Sequence, residues 1–89
     1  MSEAMTTTDH AEIRTWAEKR DGHPAMVKTG ETGGILRIDF GEPEPRLVPV
    51  SWEEFFRVFD ESGLAFLYQE TTEDGATSRF NTFVERDSS

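Results

Sequence analysis

Apolar and polar positions recur along this chain with two different periods, and the switches between them mark its elements. Ile13, Trp16 and Ala17 fall at i, i+3 and i+4, with Arg14, Glu18 and Lys19 on the other side, which predicts a short amphipathic helix. Asp9 is placed to cap it and Glu12, three positions on, to complete an Asx form of the capping box, so the helix runs to about Arg20. Gly22 and Pro24 end it and open an extended segment from Ala25 to Thr29. Gly30 to Gly34 reads as a loop or hairpin connection. Leu36, Ile38 and Phe40 then alternate with Arg37 and Asp39, the period of a half-buried strand. Gly41-Glu42-Pro43-Glu44-Pro45 breaks that strand, because proline has no ladder donor. Leu47, Val48 and Val50 make a further short strand, which Pro49 confines to an edge or a bulge.

The densest apolar stretch runs from Val50 to Gln69. Ser51 and Glu54 have capping-box spacing, and Glu53 and Glu54 suit the positive end of a helix dipole. Trp52, Phe55, Phe56 and Phe59 cover one wide helical face, and Gly63 fits the left-handed position that closes the helix. Leu64 to Tyr68 is apolar on both alternating sets, which predicts a central strand covered on both faces. Asp74-Gly75 is a hairpin signal, and Arg79 to Val84 is the returning strand, although Phe80, Phe83 and Val84 also fit a helical turn. Residues 1–8 read as a polar, disordered tail, 9–85 as one domain and 86–89 as a second tail. The order α-β-β-(β)-α-β-β, joined by short turns, gives an α+β domain: a small, mainly antiparallel sheet packed by two short helices.

Composition narrows the setting. A chain of 89 residues has one modest core and buries roughly 60% of its unfolded surface. The absence of Cys excludes disulfides and thiolate metal sites and points to a cytoplasmic protein, and no apolar run is long enough to span a membrane. Eighteen acidic residues against nine basic ones give a formal charge of −9. Such a balance repels nucleic-acid phosphates and anionic membranes and favours neutral or basic partners, while its plainest consequence is solubility. Seven Arg against two Lys is a skew that both GC-rich genomes and adaptation to salt produce.

Three blocks carry a resemblance. They are Thr7 to Ala25 with its Thr8-Asp9-His10 start, Gly34-Ile35-Leu36-Arg37-Ile38-Asp39-Phe40, and Ser51-Trp52-Glu53-Glu54-Phe55-Phe56 through Leu64 to Tyr68 and on to Ser78-Arg79-Phe80-Asn81. Together they resemble a family of short, uncharacterised prokaryotic proteins often labelled 1,4-α-glucan branching enzyme. That label is unreliable on physical grounds. Branching chemistry needs a large barrel, an acidic nucleophile, an acid/base partner and a groove for two glucan chains, and a chain this short cannot build the barrel. The resemblance therefore implies no catalytic residue here.

The carboxylate pairs Glu53/Glu54, Glu42/Glu44, Asp60/Glu61 and Glu73/Asp74 read as a helix start, a proline loop and solvated faces rather than as glycosidase pairs. His10 beside Asp9 and Glu12, with His23 elsewhere, lacks the spacing of a metal site, so no metal and no cofactor are expected. No serine has the setting of a nucleophile elbow, and Gly30 to Gly34 has no phosphate-binding Lys. Arg37, Tyr68, Arg79, Asn81 and Phe83, with Arg86, could share one sheet face. An arginine and aromatic face of this kind can bind single-stranded nucleic acid or a protein, although arginines more often pair with neighbouring acids. Edge strands at Ala25 to Thr29 or Leu47 to Val50, and a surplus of large aromatics, point to a protein partner or a homodimer. The expectation is a non-enzymatic interaction or regulatory module acting through protein contacts; a nucleic-acid-binding accessory domain is the alternative.

Overall fold

Each period-two segment finds a partner running the other way, as short turns require. The computed structural model describes residues 4–28, 34–42 and 44–86. Along the chain it places β1 (Ala4–Thr7), α1 (His10–Glu18), β2 (His23–Lys28), β3 (Gly34–Asp39), β4 (Leu47–Pro49), α2 (Trp52–Glu61), β5 (Leu64–Gln69) and β6 (Asn81–Glu85). The class is α+β and every strand pair is antiparallel. The strands form two three-stranded sheets, β1-β5-β6 and β3-β2-β4, rather than the single sheet expected. β1 and β6 flank β5, and β3 and β4 flank β2, so each trio is paired through its own central strand. Of the turn expected over Gly30 to Gly34, only Gly34 is among the described residues, and it opens β3.

The N-terminal tail expected over 1–8 is corrected for its described part. Ala4–Thr7 forms β1, in register from Ala4 opposite Gln69 to Thr7 opposite Phe66. Backbone pairing supplies the order there, which a polar composition does not reveal. The C-terminal tail is corrected at its first residue. Arg86 N–H donates to the Gly63 carbonyl at 2.7 Å, and its guanidinium reaches the Leu64 carbonyl at 3.1 Å and Asp60 at 3.2 Å. Residues 79–84 resolve toward strand: Asn81–Glu85 pairs with β5 from Tyr68 to Leu64. The suggested edge at Ala25 to Thr29 is also corrected, since β2 lies between β3 and β4; β4, with Pro49, is the edge.

Both helices start as their caps dictate. The Asp9 carboxylate accepts from the amides of Ala11 and Glu12, and Ser51 Oγ accepts from Glu54 N–H at 3.1 Å. Glu12 does not return to the Asp9 amide; Thr7 Oγ1 accepts that proton at 3.0 Å and itself donates to Glu12 at 3.1 Å. At the end of α1 it is Asp21, not Gly22, that takes the left-handed conformation, at φ 57°. Gly22 is needed for a different reason. A Cβ there would lie 2.6 Å from Ile38 Cγ2 and 2.9 Å from Phe40 Cε1.

Both helices lie on the same face of both sheets. Trp16 of α1 meets Phe66 and Tyr68 of one sheet and Phe40 beyond the end of β3, and Phe55 and Phe59 of α2 meet Phe83. One core results, with Ile13, Phe55, Phe59 and Phe66 fully enclosed. The molecule measures 42 × 38 × 19 Å, and a thickness of 19 Å leaves room for one sheet layer and one helix layer. The two sheets therefore lie side by side. The expectation that β5 is central holds, but no helix covers its second face among the described residues. There Ala65 is buried between neighbouring strands and Leu67 stays half-exposed.

Candidate binding groove

Placing two sheets side by side brings the free edge of β3 next to that of β6, and a groove of about 400 Å³ runs between them. One wall is the continuous run Ile35 to Phe40 and the other is Asn81, Thr82 and Phe83; Glu42 and Glu44 of the β3–β4 connection and Leu47 of β4 complete it. Inward side chains (Leu36, Ile38, Phe83) and outward ones (Ile35, Arg37, Thr82) line it together. Its rim is acidic. Arg37 Nη2 is 3.5 Å from Glu44, and Asp39 accepts from Gly41 N–H at 2.7 Å. Asp39 and Glu42 have no cationic partner within ion-pair distance among the described residues.

Of the five residues expected to share an interaction face, Arg37, Asn81 and Phe83 do line this groove. Arg79 sits at its end, with its guanidinium 5.5 Å from the centre of the Phe40 ring, and Asn81 donates to the Arg79 carbonyl at 2.9 Å. Tyr68 is not with them. It lies one strand inside, 2% exposed, with its ring against Trp16 and Phe66 and its hydroxyl donating to Glu12. Burial, then the Glu12 carboxylate, push the Tyr68 phenol up to about 12. Phe83 packs its ring against Phe55, Phe59 and Phe66 and stays half-buried at the groove, so Tyr68 alone of the two aromatic rings is withdrawn from it.

Outside the groove, two clusters tie the fold. His10 stacks on Phe56 at 4.2 Å and places Nε2 3.0 Å from the Asp60 carboxylate. That contact, then Arg86, holds the Asp60 carboxyl below its usual range. The polar groups at the start of α1 have separate partners: Asp9 caps the helix, Glu12 meets Thr7 and Tyr68, and His10 meets Asp60. The second cluster is one that sequence reasoning missed. The guanidinium of Arg20, on a residue only 6% exposed, donates to the carbonyls of Ser78 at 2.5 Å, Trp16 at 2.8 Å and Glu70 at 2.8 Å. It also lies 4.3 Å from the Trp16 ring centre. An arginine directly after an apolar helical stripe is common, and no sequence signal separated this one from a solvated neighbour.

Two further hollows among the described residues are open dishes. One, about 490 Å³, lies beside Lys19, Arg20, Asp21, Thr77 and Arg79, where Arg20 is already committed to its three carbonyls. No helix among the described residues is long and apolar enough to cross a membrane. Comparison with known proteins adds no family: no family model matches the chain, and neither a curated protein nor a solved structure shows significant similarity to it.

Proposed function

We propose that this chain is a small acidic binding module, without catalytic activity of its own, that engages a protein partner through the groove between β3 and β6. The observation that carries the reading is the meeting of two strand edges in one concave place, with apolar side chains at its floor and uncompensated carboxylates at its rim. Strand edges present backbone donors and acceptors that proteins commonly use to recruit another chain. The polar side chains in the groove are those of Arg37, Asp39, Glu42, Glu44, Asn81 and Thr82, a set suited to orienting a bound chain. A cysteine-free sequence fits a reducing, cytoplasmic setting. The acidic rim and the burial of the Tyr68 ring favour a protein over a nucleic acid.

A photo-crosslinking amino acid placed at Thr82, on the groove wall, tests the reading against the same group at Glu53, on the exposed face of α2. The expected result is a protein adduct from Thr82 and none from Glu53. After purification, that partner should bind wild type and lose about tenfold or more in affinity to Thr82→Arg, which fills the groove. Adducts that form equally from both positions, or a Thr82→Arg variant that binds as wild type does, overturn it.

A further inference from the structure

We propose that the occupant of the groove is a short basic strand, which hydrogen-bonds to β3 on one side and β6 on the other and so joins the two sheets into one. This rests on the reading of the groove as the binding surface and adds the mode of binding and the chemistry of the partner.

Three features carry it. β3 and β6 are the terminal strands of their sheets, each paired on one side only among the described residues, and residues of both line the groove. The sheets share one helical cover and one core, so the two edges lie in the same layer. An inserted strand would continue both ladders and give the order β1-β5-β6-partner-β3-β2-β4. The space also matches. Strand rise, strand spacing and sheet spacing give an extended residue about 160 Å³. A groove of about 400 Å³ therefore holds the body of two or three residues, the length of the wall Asn81 to Phe83.

Side-chain alternation then sets the chemistry. Alternate residues of an inserted strand would point down onto Leu36, Ile38 and Phe83, where a Val-sized apolar group fits, and the others outward beside Arg37 and Asp39. Arg37 is paired with Glu44 and Arg79 lies against Phe40 at the end of the groove, which leaves Asp39 and Glu42 to attract Lys or Arg. A second copy of this chain is a poor occupant, because each copy carries a formal charge of −9 and the rim would meet like charge.

The experiment titrates the ¹⁵N-labelled full chain with the peptide acetyl-Lys-Val-Lys-Val-Lys-amide. Saturable shifts in the amides of Leu36 to Asp39 and Asn81 to Phe83 are expected. The same peptide N-methylated at alternate residues keeps its charge and side chains but loses edge donors, and should bind about tenfold more weakly or worse. The double variant Asp39→Asn, Glu42→Gln should weaken the parent peptide several-fold while its own amide spectrum stays folded. The Glu-Val counterpart should not bind. Binding of the N-methylated peptide in the groove as tight as that of the parent overturns strand insertion while leaving the groove as a binding surface. So does sedimentation showing a dimer that protects the groove amides. Saturable shifts elsewhere with a silent groove, or none up to millimolar peptide, overturn the proposal; crosslinking from Thr82 then decides separately whether the groove reading survives.

Discussion

Arg20 gathers carbonyls from the end of α1 and from both ends of the 70–78 segment, so its side chain ties to α1 a hairpin that otherwise has the Thr71–Thr77 bridge and the Ser78 N–H to Glu70 bond. Replacing it by Leu strands three partly buried acceptors and removes a charge-assisted set of bonds. Arg20→Leu should cost roughly 2–4 kcal/mol in urea unfolding, with early proteolytic nicking between Glu70 and Ser78. Arg20→Lys should recover little, because an ammonium cannot span three carbonyls as the planar fork does. Tyr68 makes the second prediction at this scale. Its folded-state pKa is raised, so its contribution to stability is complete below the unfolded value near 10 and is lost as pH rises toward about 12. Wild type should lose on the order of 2 kcal/mol across that interval, and Tyr68→Phe should flatten the alkaline limb. An identical limb in the variant, measured by denaturant midpoint against pH, would show that Tyr68 does not titrate with unfolding.

The helices and most strands were readable because their signals are local. Ser51 caps α2, Gly63 closes it at φ 64°, and Trp52, Phe55, Phe56 and Phe59 face the sheets as the 3.6-residue period requires. Phe55 is fully buried against Trp52, Phe56, Phe59 and Phe83. Phe55→Ala should therefore cost about 3–5 kcal/mol in chemical denaturation, a large fraction of what so small a domain has to lose. A cost well under 1 kcal/mol would mean that the ring is solvated. Where an element was misread, its partner lay far away in sequence. β1 is polar and short, and it is a strand only because β5, some sixty residues on, offers an edge.

At the scale of the molecule, β1 shields the edge of β5 opposite β6, and with it the middle of the first sheet. Deleting the chain through Thr6, which keeps the Thr7 contact with Asp9, should lower the unfolding midpoint and speed hydrogen exchange in β5 from Phe66 to Gln69. Exchange unchanged in β5 would return the segment to the role of a tail. The exposed β5 edge should also raise the tendency to self-associate. The same layout creates the groove, whose walls come from residues 35–40 and 81–83 and meet only because two trios of strands lie side by side under one pair of helices.

The sequence by itself determined the α+β class, the two capped helices, the aromatic core and the acidic surface, because caps, periods and charge are properties of neighbours along the chain. Arg37, Asn81 and Phe83 were legible as candidates but not as a groove, since edge-strand status depends on which strands pair. Tyr68 looked available until packing against Trp16 and a bond to Glu12 took it inside. Only the tertiary structure decided the division into two sheets, the work of Arg20 and the meeting of β3 with β6. Each of these is a contact between residues distant in sequence, and a local pattern carries no record of which distant edge or carbonyl it will meet.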